Sequence, residues 1–277
     1  MKFKKKAFFL TVLLSHLFFT SLPAQEPQKR PEGSNLCLTL FEFLSANNFK
    51  PQAQPLLSYN QNDFPYNIYI ENIGTKLQSE ESKNVLFVFE MQGAFLKKET
   101  IREFITFLKN TKLPYNPTIL FAYGEAPVFT KQGMIYGSDV FLENYYFEDD
   151  FTAVFFNLAA EKTKITASSN QIIAPGNLIK NCLNAFLKNK LPLTNSLIFL
   201  SQLYTLSFQK DRNLDLFFER DIPAIKLDFK TGIDEKTLSS TLKDIAGSID
   251  SFNWDQHFIL YNFWGSFHIL TEKNILS

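Results

Sequence analysis

Residues 212–229 read RNLDLFFERDIPAIKLDF and join a short helical stretch to a strand. Residues 213–220 place four apolar side chains among charged ones, which predicts about two turns of helix. Residues 222–227 predict a strand that Pro223 opens, where the missing N–H costs no hydrogen bond of the sheet. The stretch therefore predicts one helix followed by one strand.

The rest of the chain also alternates apolar strands with helices. Residues 84–90 (NVLFVFE) form a nearly continuous apolar run, as expected for a strand that is covered on both faces. Residues 100–108 repeat apolar side chains at helical spacing. Further strands are predicted at residues 66–73, 118–123, 151–158, 257–263 and 267–271, and further helices from Ser34 to about residue 44 and at residues 137–145, 176–187, 196–206 and 234–249. This alternation predicts a three-layer α/β/α sandwich around a mixed, mostly parallel sheet.

The length and composition suit one α/β domain. The chain has 277 residues, of which 45% are apolar and 16% aromatic, and no shift in composition divides it. We expect a single domain at residues 35–277, after a polar lead-in at residues 25–34. The chain has 28 basic and 28 acidic residues, and removal of the four lysines in residues 1–24 leaves 28 − 4 = 24 basic residues. The resulting charge of about −4 argues against a nucleic-acid partner.

Residues 1–24 have the layout of a secretory signal peptide. A basic start (KFKKK) precedes an apolar run at residues 7–19 and then Ser-Leu-Pro-Ala before Gln25. The alternative is an uncleaved membrane anchor, although the run is shorter than the ~20 residues that a spanning helix needs. No later stretch of the sequence is apolar enough to span a bilayer. We therefore expect an exported protein, periplasmic, secreted or associated with the envelope, with no transmembrane span after cleavage.

Cys37 and Cys182 are the only cysteines in the sequence. Two cysteines in an exported chain can pair, so Cys37 and Cys182 are a candidate disulfide. The other interpretation is two buried thiols on the apolar faces of separate helices, which the Leu and Phe residues around each cysteine favour. Neither interpretation predicts a catalytic cysteine, because no His lies near either one in the sequence.

The helix and strand of residues 212–229 resemble an element of the zinc aminopeptidases, relatives of glutamate carboxypeptidase and of the transferrin receptor ectodomain. In those enzymes Ser-Asp-His, followed by a Phe and a Glu, precedes Gly-Ile-Pro-Ala-Ile, and the His binds zinc. Glu219 matches the Glu of this element, and Asp221 replaces its Gly. Leu214 stands where the family has its His, and Asn213 stands where it has the acidic neighbour. The element is kept, and its zinc ligand is replaced.

Three further landmarks of the family show the same loss of a ligand. One strand of the family ends in His-x-Asp, with the His bound to zinc, whereas here Glu90, Met91 and Gln92 follow the apolar run. Residues 91–110 contain no Asp or His that could act as the metal-bridging Asp of the family. Another family strand ends in Asn-Leu-Asp, and here Ala159 replaces its carboxylate.

The Glu-Glu landmark of the family is kept in part. Glu125 stands at the position of the general base, and Ala126 replaces the second Glu, which is a metal ligand in the family. Residues 136–142 (YGSDVFL) match the Gly-Ser, aromatic and Leu pattern that follows. The resemblance thus implies no metal, no cofactor and a degenerate cleft in which Glu125 is a remnant of the base, formed by Glu90, Gln92, Glu125, Ala126, Ala159, Asn213 and Leu214.

Two functions stay open. The first is a non-catalytic binding or scaffold protein of the cell envelope, which keeps the peptidase-like fold and binds an unidentified protein or peptide. The second is a metal-dependent aminopeptidase or amide hydrolase, in which Glu125 works with a metal that other ligands hold. Zinc hydrolysis needs about three protein ligands for each metal ion and an open position for water. The replaced ligands therefore favour the non-catalytic function.

Overall fold

A computed structural model describes residues 32–56, 66–71, 73–74, 83–123, 128–130, 133–135, 137–144, 151–193, 210–249, 258–264 and 266–271. The chain divides into two compact units, Met1–Pro31 and Glu32–Ser277, and every described residue belongs to the second. Within these ranges, the helices all fall short of the length and apolarity that crossing a membrane requires.

The helices are α1 (Glu32–Ala46), α2 (Met91–Leu96), α3 (Lys98–Asn110), α4 (Gly137–Asn144), α5 (Gly176–Lys188), α6 (Arg212–Phe218) and α7 (Glu235–Ser248). The strands are β1 (Gln52–Pro55), β2 (Tyr66–Ile70), β3 (Asn84–Glu90), β4 (Asn116–Ala122), β5 (Val128–Thr130), β6 (Gly133–Ile135), β7 (Phe151–Ala160), β8 (Lys164–Thr166), β9 (Ser168–Ser169), β10 (Ile172–Ile173), β11 (Ala224–Lys230), β12 (Phe258–Phe263) and β13 (Ser266–Thr271).

A seven-stranded sheet forms the middle layer, with the strand order β1-β2-β4-β3-β7-β11-β8. The four strands β4, β3, β7 and β11 are parallel to one another. β1, β2 and β8 are antiparallel to the strands that they pair with. The parallel strands therefore end together at one edge of the sheet, where open α/β sheets bind their ligands.

The central strands are buried because both of their faces are apolar. In β3, Val85, Phe87 and Phe89 lie in one core cluster, and Leu86 and Val88 lie in another. The first cluster also holds apolar residues of α1, α2, α3, α5 and α7, and the second holds those of α4 and α6. Helices thus cover both faces of the sheet, and the predicted three-layer α/β/α sandwich is confirmed.

Most predicted elements are present, with shifted ends. The strand predicted at residues 84–90 has those bounds, and Asp234 caps α7 by accepting a hydrogen bond from the Thr237 backbone N–H at 2.9 Å. The strand predicted to run to residue 73 ends at Ile70. The helix expected from Ser34 begins at Glu32, which places three residues of the expected lead-in inside α1. The helix predicted at residues 196–206 lies outside the described residues.

The two C-terminal strands form a separate antiparallel hairpin, β12–β13. Asn184 of α5 attaches this hairpin to the sandwich. Its Nδ2 donates to the Phe267 carbonyl oxygen at 3.1 Å, and its Oδ1 accepts from the Phe267 backbone N–H at 2.7 Å. A single amide side chain therefore binds both backbone groups of one strand residue.

Candidate functional site

The carboxyl ends of the parallel strands carry a line of polar side chains. Glu90 ends β3, and Asn157 lies beside it on β7, one position beyond the last paired residues of these strands. Asn157 pairs with Asp228 of β11, and Asp228 pairs with Lys164 of β8. We call Glu90, Asn157, Asp228 and Lys164 the strand-end row. The row combines both signs of charge with an amide at the edge where a ligand of this fold class is expected.

Asp228 is a partly buried carboxylate in the middle of this row. Burial raises the pKa of Asp228 above its usual value, and the neighbouring charge of Asp211 adds to the rise. The charges of Lys226 and Lys164 and a hydrogen bond with Asn157 act in the opposite direction. Raised carboxyl pKa values are found both in functional sites and in structural ion networks. Asp228 therefore qualifies as a site residue by its position at the strand end and not by its pKa alone.

An ion pair fastens α6 to the sheet beside Asp228. The Lys226 Nζ lies 3.5 Å from Asp211 Oδ2, and the two side chains are only 13% and 21% exposed. Asp211 also caps α6, because its Oδ1 accepts from the backbone N–H groups of Asn213 at 3.1 Å and Leu214 at 3.3 Å. The carboxylate thus satisfies two N–H groups that the first turn of a helix leaves without partners. The start of α6 is held by charge and by capping together.

Leu214, which the resemblance to the zinc aminopeptidases aligns with a zinc-binding His, is a core residue. Its side chain is fully buried, in the same apolar cluster as Phe155 and Phe217. The rings of Phe155 and Phe217 meet edge to face with their centroids 4.9 Å apart. Asn213, its neighbour, is half-buried and contributes its backbone N–H to the cap of α6. The structure therefore uses this position for packing α6 against the sheet.

Helix α2 packs directly against the end of β7. A Cβ atom added to Gly93 would lie 3.1 Å from the Leu158 backbone N and 3.3 Å from the Ala159 backbone N. Such distances are tighter than almost all real Cβ contacts, so a glycine permits the close approach. Ala159, beside this contact, is half-buried, and Gln92 is exposed. Two more predicted positions, those of Glu125 and Ala126, lie outside the described residues.

The described positions of the predicted cleft do not fit a zinc centre. Among them Glu90 alone has a carboxylate, and Ala159 and Leu214 have no donor atom in their side chains. Over the described ranges as a whole, no group of three or more His, Cys, Asp or Glu side chains is arranged to hold a metal ion. A zinc site with about three protein ligands would need groups that these positions do not provide.

Both cysteines are free and buried, on two different helices. Cys37 lies on α1 with its Sγ 3.4 Å from the Tyr66 carbonyl oxygen and 3.2 Å from Met91 Sδ, and Cys182 lies on α5. Burial raises the pKa of both thiols, so they stay protonated near neutral pH. The structure has the second arrangement that the sequence left open, two buried thiols.

Sequence patterns point to only part of the strand-end row. Lys226 and Asp228 alternate with apolar residues in β11 (AIKLDFK), which indicates one polar and one apolar face. Asp211 carries no such signal, because its contact with Lys226 depends on how α6 lies on the sheet.

The chain is similar to solved structures of two kinds of protein. A Fimbriiglobus ruber glutaminyl cyclase matches with a TM-score of 0.53 at 11% identity, over 78% of this chain and 86% of that chain. A Zn-dependent exopeptidase from Parabacteroides distasonis matches with a TM-score of 0.41 at 11% identity, over 77% of this chain and 88% of that chain. At such low identity, the cyclase match shows a shared fold only.

No curated protein matches the chain. The family model described as TP_0564_1st, family, first domain, matches residues 48–270. This range includes all of the seven-stranded sheet and the strand-end row. The chain therefore belongs to the TP_0564 family, whose first-domain model spans most of its length.

Proposed function

We propose that this chain is an exported, non-catalytic protein with a peptidase-like fold that binds a protein or peptide partner at the cell envelope. The observation that carries the proposal is the burial of Leu214. A zinc ligand must present a donor atom at the site, and this position instead presents a fully buried apolar side chain. With Ala159 at the end of β7, two of the matching positions have side chains that cannot bind a metal.

The strand-end row supports a binding role for the same edge. It offers carboxylates at Glu90 and Asp228, an amide at Asn157 and an ammonium group at Lys164. A peptide presents backbone N–H and carbonyl groups and often charged side chains, which such a mixed row can bind through hydrogen bonds and ion pairs. Surfaces with only one sign of charge suit nucleic acid better.

A metal-dependent aminopeptidase or amide hydrolase is the second candidate. The observation that favours it is the presence of two carboxylates, Glu90 and Asp228, on the edge where β4 also ends before Glu125. The names of similar structures, a Zn-dependent exopeptidase and glutaminyl cyclases, make peptide and glutaminyl substrates the ones to test. This candidate needs ligands that the described positions do not supply.

One experiment separates the two candidates. Metal content is measured on the purified mature protein, and turnover is measured on aminoacyl and glutaminyl substrates with and without added zinc and chelator. We expect less than stoichiometric zinc and no turnover, and we expect Glu125→Gln to leave stability unchanged. The matched control is Glu103→Gln on α3, where the carboxylate accepts from Lys243 and Ser239 on α7.

The enzyme candidate makes the opposite set of predictions. Stoichiometric zinc, with turnover that is lost in Glu125→Gln and in chelator but kept in Glu103→Gln, would establish a hydrolase with a rearranged site. Partner binding that is lost in Glu125→Gln without any turnover would instead identify the cleft as the recognition surface.

A further inference from the structure

Asn67 is a buried polar residue in an otherwise apolar part of β2. Its side chain is fully buried, and both polar atoms of the amide are bonded. The Nδ2 donates to the Gly137 carbonyl oxygen at 2.7 Å and to Gln54 Oε1 at 2.8 Å. The Oδ1 accepts from the Tyr123 backbone N–H at 3.1 Å. One amide therefore connects β2 to β1, to the exit of β4 and to the start of α4.

The two backbone partners of Asn67 are the two ends of one connection. Tyr123 directly follows β4, and Gly137 begins α4. Between them the chain forms the β5–β6 hairpin, whose strands pair antiparallel from Val128 to Ile135. Because β4 is one of the parallel strands, this connection leaves the sheet at the same edge as the strand-end row. Asn67 thus binds both ends of a segment that starts at the candidate site.

Gly137 is required for this arrangement. A Cβ atom at Gly137 would lie 2.9 Å from both the N and the O of Tyr123 and would collide with Asn67 Oδ1. Backbone atoms cannot yield as the end of a flexible side chain can, so any larger residue would separate the two ends of the connection. This contact gives a physical reason for the glycine of the YGS pattern in residues 136–138.

An apolar side chain at Asn67 would fill the same space but could not replace these bonds. Leu or Val would remove the donor to the Gly137 carbonyl and the acceptor of the Tyr123 N–H, and Asp would lack the two donors. A fully bonded buried amide restricts the backbone groups around it to one geometry. Gln54 extends the network, because its Nε2 donates to the Val140 carbonyl oxygen at 3.2 Å.

We propose that Asn67 is a positioning residue that fixes the β5–β6 hairpin relative to the strand-end row. The inference rests on the proposed function in one respect, that this edge is where the partner binds. Asn67 does not contact the row itself but acts through the exit of β4 and the start of α4. The hairpin and the row then form one preformed surface, which lowers the ordering cost of binding.

The test measures a distance between the hairpin and the row. Spin labels on Thr130→Cys in β5 and Lys164→Cys in β8 report that distance by pulsed electron paramagnetic resonance. Both native thiols are buried with raised pKa values, which favours labelling at the introduced cysteines. We expect a single narrow distribution in the parent and a distribution about twice as wide in Asn67→Ala.

Asn184→Ala is the matched control. Asn184 also binds both an N–H and a carbonyl group of the backbone, but it holds the β12–β13 hairpin. Its removal should leave the distribution between residues 130 and 164 unchanged. If Asn67→Ala fails to fold, Gln54→Ala removes one hydrogen-bond partner of Asn67 without changing the buried residue itself, and a smaller broadening in the same direction is expected.

Three outcomes would overturn the proposal. They are a parent distribution that is already broad, an Asn67→Ala distribution equal to that of the parent, and equal broadening in Asn67→Ala and Asn184→Ala, which would indicate general loosening of the fold. The proposed function is judged separately by zinc content and turnover. A hydrolase result there would reject the non-catalytic function and leave the measured distance unaffected.

Discussion

The Asp228 carboxyl group lies near the end of β11, close to the charged side chains of Lys226, Lys164 and Asp211. Burial is the largest influence on its pKa, and the charges of Lys226 and Lys164 only partly offset it. The raised pKa means that the folded protein binds the proton of Asp228 more tightly than the unfolded chain does. Stability from this group is therefore greatest below the ordinary pKa of Asp and falls as pH rises through the folded-state pKa.

We predict that Asp228→Asn gains stability relative to the parent as pH rises. The reference pKa of this carboxyl is 3.8, so the gain should begin near that pH and level off above the raised folded-state pKa. The measurement is the difference in Tm between variant and parent at a series of pH values. Asn replaces the carboxylate with a neutral group of the same shape, so packing is little changed.

Asp234→Asn is the control for Asp228→Asn, with the opposite expected sign. The hydrogen bond from the Thr237 backbone lowers the pKa of Asp234, so its ionised form stabilises the folded protein. That contribution is present above the ordinary pKa and is lost as pH falls through the folded-state pKa. Relative to the parent, Asp234→Asn should therefore lose stability as pH rises. If both variants changed in stability in the same direction as pH rises, burial would not be the dominant influence on the pKa of Asp228.

One buried hydroxyl group joins helix α7 to the residue that precedes strand β4. The Tyr115 Oη, one residue before β4, donates to the Ala246 carbonyl oxygen at 2.7 Å. Ala246 lies in the last turn of α7, where helix carbonyl groups have no partner within the helix. Its carbonyl accepts from the Ile249 backbone N–H only at 3.5 Å. The tyrosine thus caps the end of α7 from the start of a sheet strand.

We predict that Tyr115→Phe lowers the free energy of unfolding by about 1–2 kcal/mol, because it leaves the buried carbonyl of Ala246 without its short hydrogen bond. The measurement is chemical denaturation of variant and parent. Tyr69→Phe is the matched control, since the Tyr69 hydroxyl donates to Gln52 Oε1 at 2.9 Å in an exposed position. A smaller loss is expected there, and equal losses would contradict the capping role of Tyr115.

Elements with a local pattern could be predicted from the sequence, and contacts between distant residues could not. The apolar run of β3 and the capping Asp234 are visible in single stretches of sequence, and both are present. Asn67, by contrast, has no distinguishing pattern in the sequence YNIYI, because its role depends on contacts with Tyr123 after β4 and Gly137 of α4. The ion pair of Asp211 with Lys226 could not be predicted either, because the two residues meet only once α6 lies on the sheet.

The candidate site, too, could be predicted from the sequence only in part. Family landmarks predict which positions have lost a metal ligand, because that comparison needs only the sequence. They do not predict what the replacements do. Leu214 fills the layer between α6 and the sheet, and Gly93 lets α2 approach the end of β7. Leu214 therefore has a packing role at a position where the resemblance alone predicts a replaced ligand.

At the scale of the whole molecule, the proposed envelope role depends on export. Residues 1–24 contain four lysines and no acidic residue, and their apolar run at residues 7–19 is shorter than the ~20 residues of a spanning helix. Cleavage after Ala24 would change the formal charge from zero to about −4, because 24 basic residues would remain against 28 acidic ones. The mature protein would therefore bind an anion exchanger more strongly than its precursor.

We predict that the mature protein begins at Gln25. The intact mass of protein recovered from the periplasm or the medium should lack residues 1–24, and the double variant Leu13→Arg, Leu14→Arg should remain in the cytoplasm with the full precursor mass. Two arginines interrupt the apolar run that the export machinery recognises, while the basic start and the cleavage sequence stay intact. A protein that keeps Met1 and fractionates with the membrane would contradict cleavage and would identify the segment as an anchor. An anchored protein would keep the proposed envelope role, with the domain attached to the membrane. A parent protein found only in the cytoplasm would reject that role.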